Sequence, residues 1–128
     1  MPLFGKKTTF LAPVPSPTQL HLCIAMTEPQ EEPEIVVMVN ISTVYNKPHE
    51  DRTVILQPGD HEFIKHESYV AYEYAKRVRV SILETRHKKA QLTIKDEISD
   101  ELFEKILDGL FRSSRTPGDI KALCRRST

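Results

Sequence analysis

The sequence predicts a mainly β domain: a small antiparallel barrel or curled sheet with one or two C-terminal helices packed on it. Two observations carry this expectation. Between residues 20 and 95, short runs rich in β-branched and aromatic residues recur, separated by proline, glycine, asparagine and charged residues. After residue 98 the apolar residues fall instead at intervals of three and four, the period of a helix buried along one side. Strands first and helices afterwards point to segregated elements rather than alternating βαβ units.

Residues 1–18 hold Pro2, Pro13, Pro15 and Pro17 and are expected to form an extended, proline-rich lead-in, with residues 19–128 as a single domain. The run Leu20 to Met26 reads as a buried first strand. Thr27 to Pro33 follows as an acidic connection. Glu34 to Ile41 is the clearest strand, because β-branched residues dominate it. Tyr45 to Asp51 is a polar loop, Arg52 to Leu56 a short strand, and Pro58-Gly59 a turn. Tyr69 to Tyr74 is expected to place Val70, Tyr72 and Tyr74 on one face of a strand. Arg77 to Ile82 alternates strictly, so Val78, Val80 and Ile82 are expected inward and Arg77, Arg79 and Ser81 outward. A basic turn at Arg86 to Lys89 leads to a last short strand at Gln91 to Lys95. Ser99, followed by Asp100 and Glu101, has the signature of a helix N-terminus. Leu102, Phe103, Ile106, Leu107, Leu110 and Phe111 then form one apolar stripe, giving a helix over about 98–113. Thr116-Pro117-Gly118-Asp119 opens a second helix, about 117–126.

At 128 residues the chain is one domain, long enough to bury a core without disulfide or metal staples. Its 18 basic and 18 acidic residues balance, so no global field draws it to nucleic acid or membrane. No apolar run approaches the ~20 residues of a membrane span. The start, Met1 to Lys7, lacks the apolar stretch of a secretory signal. A cytoplasmic location with no membrane association is expected. Cys23 and Cys124, far apart and without a CxxC pair, fit a reduced protein.

Chemistry-bearing side chains concentrate between Gly59 and Tyr72, where His61, Lys65, His66, Ser68 and Tyr69 are interspersed with Asp60, Glu62 and Glu67. His61 and His66 are five apart and fall on opposite sides of a straight strand, which disfavours a shared metal ion. No metal or other cofactor is expected. Ser68 and His66 share a face, but no Gly-x-Ser-x-Gly elbow accompanies them, so hydrolase chemistry there is weakly supported. Single-stranded RNA is the better fit. Arg77 and Arg79 with Lys65, Ser68 and Tyr69 offer phosphate contacts and an aromatic for base stacking. Histidines and a cation supply what metal-independent cleavage at the 2′-hydroxyl needs.

With its strands laid out, the chain resembles the MazF/PemK-type toxins. Three segments carry the resemblance: the buried strand His21 to Met26; the β-branched strand ending in Asn40-Ile41-Ser42-Thr43; and Ser68-Tyr69-Val70 followed by Ala75-Lys76-Arg77-Val78, before a closing helix. The resemblance implies an SH3-like barrel acting as a homodimeric, metal-independent endoribonuclease that an antitoxin neutralises. It places a catalytic hydroxyl at Ser42 or Thr43, which join His61 and His66 as catalytic candidates. The loop Thr27 to Pro33 holds no arginine where the family carries a catalytic one. That motivates an alternative: a catalytically inactive barrel serving as a protein-interaction module.

Overall fold

The computed structural model describes residues 3–13 and 20–127. One antiparallel sheet runs through it. Its strands are β1 (Thr9–Ala12), β2 (His21–Ala25), β3 (Ile35–Thr43), β4 (Ile55–Leu56), β5 (Ser68–Val70), β6 (Lys76–Arg79) and β7 (Thr93–Lys95). Helix α1 (Val80–Lys88) follows β6, and α2 (Asp100–Arg112) and α3 (Gly118–Ser127) end the chain. The strand order is β4-β5-β3-β2-β1-β7, with β6 also on β3.

β3 organises the sheet because its nine residues are long enough to hold three partners. One edge pairs with β2. The other takes β5 at its C-terminal half, through Ile41↔Val70 to Thr43↔Ser68, and β6 at its N-terminal half, through Ile35↔Arg79 to Met38↔Lys76. The unbroken apolar run of β3 is explained by burial on both faces. Val37, Val39 and Ile41 pack with Phe103, Ile106 and Leu110 of α2 and with Ile120 and Leu123 of α3. Val36 and Met38 pack on the opposite side with Phe4, Phe10, Val80 and Leu83. Cys23 belongs to the second cluster and Cys124 to the first, so the sheet separates two buried, free thiols. Burial pushes the Cys23 thiol up to about 12 and the Cys124 thiol up to about 11.

The sheet is not closed into a barrel: among the described residues its two ends, β4 and β7, share no ladder. Side chains bridge the gap instead. His61, in the loop after β4, reaches the Asp96 carbonyl just past β7 at 2.9 Å, and Lys95 lies over the Phe63 ring at 4.5 Å.

The strands expected at 20–26, 34–41 and 91–95 and both C-terminal helices are present. Ser99 caps α2 by accepting from the Leu102 N–H at 3.1 Å. Four segments differ. Residues 9–12, expected in the lead-in, form β1 between β2 and β7, while the proline-rich stretch 14–19 lies outside the described residues. Arg52–Val54 are not strand, because Asp51 turns the chain there by accepting from the Thr53 N–H at 2.9 Å. The strand expected over 69–74 stops at Val70, and a single 3₁₀ turn, Tyr72–Tyr74, intervenes; Tyr72 is buried and Tyr74 is 50% exposed. The alternating run 77–82 is strand only through Arg79. The ladder ends where Val80 donates to the Glu34 carbonyl, and the chain then winds into α1, burying Val80 and Leu83 and leaving Ile82 exposed. The basic turn is therefore the last turn of α1, where Arg86, His87 and Lys88 oppose the helix dipole.

Candidate functional site

Ser42 and Thr43 end β3, and β5 lies beside them in the register Ser42↔Tyr69 and Thr43↔Ser68. On the other edge, β2 pairs Leu22 with Ile41; one further step sets His21 across from Ser42. Three strands thus bring His21, Ser42 and Tyr69 into one row at the end of the sheet. An open groove of about 620 Å³ occupies this end, walled by the Phe63–His66 segment and the Tyr45–Glu50 loop.

The groove collects Ser42, Thr43, Lys65, His66, Ser68 and Tyr69 from the candidates of the sequence. Not all are available. The Ser68 hydroxyl donates to the His66 carbonyl at 2.7 Å, and Ser68 is buried. It is a strand-edge hydroxyl, not a nucleophile served by the His66 ring and not a contact for RNA. Tyr69 is 6% exposed, so it forms a wall and offers no face for stacking. Burial raises its phenol, against the hydrogen bond from Ser42, with Glu50 and Glu73 also acting upward. Lys65 and His66 are exposed in the groove.

His61 leaves the candidate list. It is buried, and both ring nitrogens are engaged: Nε2–H donates to the Asp96 carbonyl, and Nδ1 accepts from the Phe63 N–H at 3.2 Å. With the Ile64 N–H bonded to its carbonyl at 3.0 Å, His61 pins the segment that carries Lys65 and His66 along the groove. Its role is structural because hydrogen bonding at both nitrogens leaves no site for a reacting proton. Arg77 and Arg79 are also elsewhere. They lie on β6, flanking separate depressions beside α1 and beside Glu31.

Four groove residues with polar groups in their side chains were not among the candidates: His21, Tyr45, His49 and Glu50. Tyr45 is 71% exposed and is the aromatic available for stacking. Glu50 organises the loop that carries it. Its carboxylate accepts from the Tyr45 N–H at 2.7 Å and the Asn46 N–H at 3.2 Å. Burial works to raise this carboxyl, but those backbone donors, Lys47 and the Arg52 charge together hold it below its ordinary value. The only sequence signal for Glu50 was its place in a polar loop. His21 was visible as a polar residue opening an apolar strand.

Two buried side-chain polar atoms have no hydrogen-bond partner among the described residues: His21 Nδ1 and Asn40 Nδ2. Cys23 pairs with Asn40, so His21 and Asn40 are diagonal neighbours on one face of the β2–β3 ladder, and of the two His21 lines the groove. Buried polar groups are satisfied in the great majority of native sites, which sets these two atoms apart from the rest of the described residues. Among the described residues no group of three or more His, Cys, Asp or Glu is placed to hold a metal ion.

No family model, curated protein or solved structure matches this chain. Among the described residues no helix is long and apolar enough to cross a membrane. The groove chemistry is therefore the ground for a functional reading.

Proposed function

We propose that the groove binds single-stranded RNA and cleaves it without a metal, as the resemblance to MazF/PemK-type toxins and to their SH3-like scaffold implies. The observation that carries this reading is convergence. Ser42 and Thr43 from β3, Lys65 and His66 from the β4–β5 loop, and His21 from β2 line a single groove with the exposed ring of Tyr45 at its edge. These residue types match the reaction. One imidazole, of His66 or His21, takes the proton of a ribose 2′-hydroxyl. The 2′-oxygen then attacks the adjacent phosphorus, the P–O5′ bond breaks, and a second imidazole returns a proton to the 5′-oxygen. Lys65, the Thr43 hydroxyl and the Ser42 hydroxyl, which turns from Tyr69 to the substrate, stabilise the charge on the non-bridging oxygens. The products are a 2′,3′-cyclic phosphate and a 5′-hydroxyl.

A labelled single-stranded RNA incubated with the protein in EDTA tests this. Cleavage to those two ends is expected, with Ser42→Ala and His66→Ala each slowing it by about 10²-fold or more. An intact substrate that also fails to bind at low salt rejects the reading.

One observation favours the alternative of a catalytically inactive protein-interaction module: no arginine is among the residues lining the groove. With β1 included, the first connection of the sheet is 13–20 rather than Thr27 to Pro33, and it too contains no arginine. An RNA that stays intact and unbound, together with capture of a protein partner by the chain, decides for that alternative.

A further inference from the structure

Arg77 and Arg79, which the groove does not absorb, lie on a strand with an open edge. β6 pairs with β3 alone, and among the described residues its outer side carries no strand. The bond from the Val80 N–H to the Glu34 carbonyl, 3.0 Å, fixes the phase of this ladder. Residues 76 and 78 therefore turn their amide groups toward β3, and Arg77 and Arg79 turn theirs outward. As the N-cap of α1, Arg79 gives its carbonyl to the helix. The Arg77 N–H and carbonyl and the Arg79 N–H remain for a further strand.

Both faces of this edge are shaped. On one, a pocket of about 320 Å³ opens between β6 and α1, with buried Phe10, Met38, Leu83 and Leu92 at its base and exposed Ile82 and Arg86 at its rim. On the other stand Arg77 and Arg79 beside Glu31. Glu31 lies 4.0 Å from Arg77 and 3.3 Å from Arg126, whereas Lys76, Arg79 and Arg86 make no ion pair among the described residues. A neutral chain thus carries unneutralised cations on both sides of an apolar pocket and an unpaired backbone edge.

Basic side chains on an edge strand also keep like edges apart. That argues against a second copy of the chain here, since two such edges would set arginines against arginines. It does not account for the apolar pocket. RNA would use the cations and the outward N–H groups but neither the outward carbonyl nor the apolar base. We infer that β6 receives an extended acidic segment of a partner protein as an added strand. Alternate apolar side chains of that segment enter the pocket, and the acidic ones between them meet Arg77 and Arg79.

The test uses a fluorescent synthetic peptide alternating leucine and glutamate, with a version carrying lysine for glutamate as control. The acidic peptide binds the full chain, weakens with added salt, and loses affinity on the order of tenfold against R79E/R86E. The control does not bind. Amide exchange at Arg77 and Arg79 slows on binding. Arg79→Ala serves as a milder variant if the double one melts below the wild type. Absence of binding, equal affinity for the variants, or protection of other amides instead overturns the inference. So does a single-stranded oligouridylate that binds wild type and is lost in R79E/R86E while the peptide does not bind, which assigns the edge to nucleic acid.

Discussion

Gly109 sits inside α2, and two effects of opposite sign meet in the substitution Gly109→Ala. Helix propensity alone favours it by about 0.8–1.0 kcal/mol. The surroundings oppose it, because a Cβ at this position runs into Val54 Cγ2 of the loop leading to β4 and into the Tyr72 hydroxyl. Neither neighbour has room. Val54 is 2% exposed, Tyr72 is fully buried, and its hydroxyl donates to the Ile106 carbonyl at 2.7 Å. Overpacking a core by one methyl costs about 1–3 kcal/mol. Displacing the buried phenol from its acceptor costs about 1–3 kcal/mol more. Packing outweighs propensity, and the net expectation is a loss of about 1–5 kcal/mol. For a domain of this size that lowers the melting temperature by roughly 10 °C at mid-range. Urea unfolding of wild type, Gly109→Ala, Tyr72→Phe and the double variant measures it, with an unchanged slope as the sign that only stability has moved. Removing the hydroxyl makes room, so the alanine costs less in the phenylalanine background, and the two sites are coupled. An alanine variant as stable as wild type, or an equal penalty in both backgrounds, refutes the close approach of α2 to Tyr72.

Two further substitutions probe hydrogen bonds that hold loops in place. His61→Phe keeps the ring but deletes both hydrogen bonds, to the Asp96 carbonyl and from the Phe63 N–H. A loss of about 1–3 kcal/mol in urea unfolding is expected, together with faster amide exchange over 62–66, and a silent variant removes the anchoring role. Asp51 accepts from the Ser113 hydroxyl at 2.6 Å and from the Thr53 N–H. Burial acts to raise its carboxyl, but the Ser113 and Thr53 bonds outweigh it and the folded pKa is lowered. Its contribution is therefore complete above the ordinary carboxylate value near pH 4 and is lost as pH falls through the lowered folded one. Asp51→Asn is expected to be less stable than wild type at neutral pH, with the gap closing in acid. Melting curves from about pH 7 to pH 2 check this, and a gap independent of pH contradicts it.

Part of the fold is legible because its causes are local. The Ser99 cap, the acidic first turn and the three-four spacing of Leu102, Phe103, Ile106 and Leu110 specify α2 without reference to anything outside it. The β-branched run of β3 does the same for a strand buried on two faces. The switch at Val80 is not local. Arg77 to Ile82 alternates as a strand should, and it becomes a helix because β3 offers no partner beyond Glu34. β1 was concealed in the same way: its four residues are strand because β2 and β7 flank them.

The candidate site divides along the same line. The sequence by itself determined which side chains were present for chemistry, and it placed Ser42 and Thr43 at a strand end and His61 and His66 apart from each other. Only the tertiary structure decided which of them share a space. Register set His21 and Tyr69 beside Ser42, buried Tyr69 and Ser68, turned His61 inward onto Asp96, and carried Arg77 and Arg79 to a different edge. The physical reason is that strand pairing joins residues distant along the chain. Which partner a strand end meets, and whether a histidine nitrogen finds a carbonyl or a groove, depends on contacts that no short window of sequence contains.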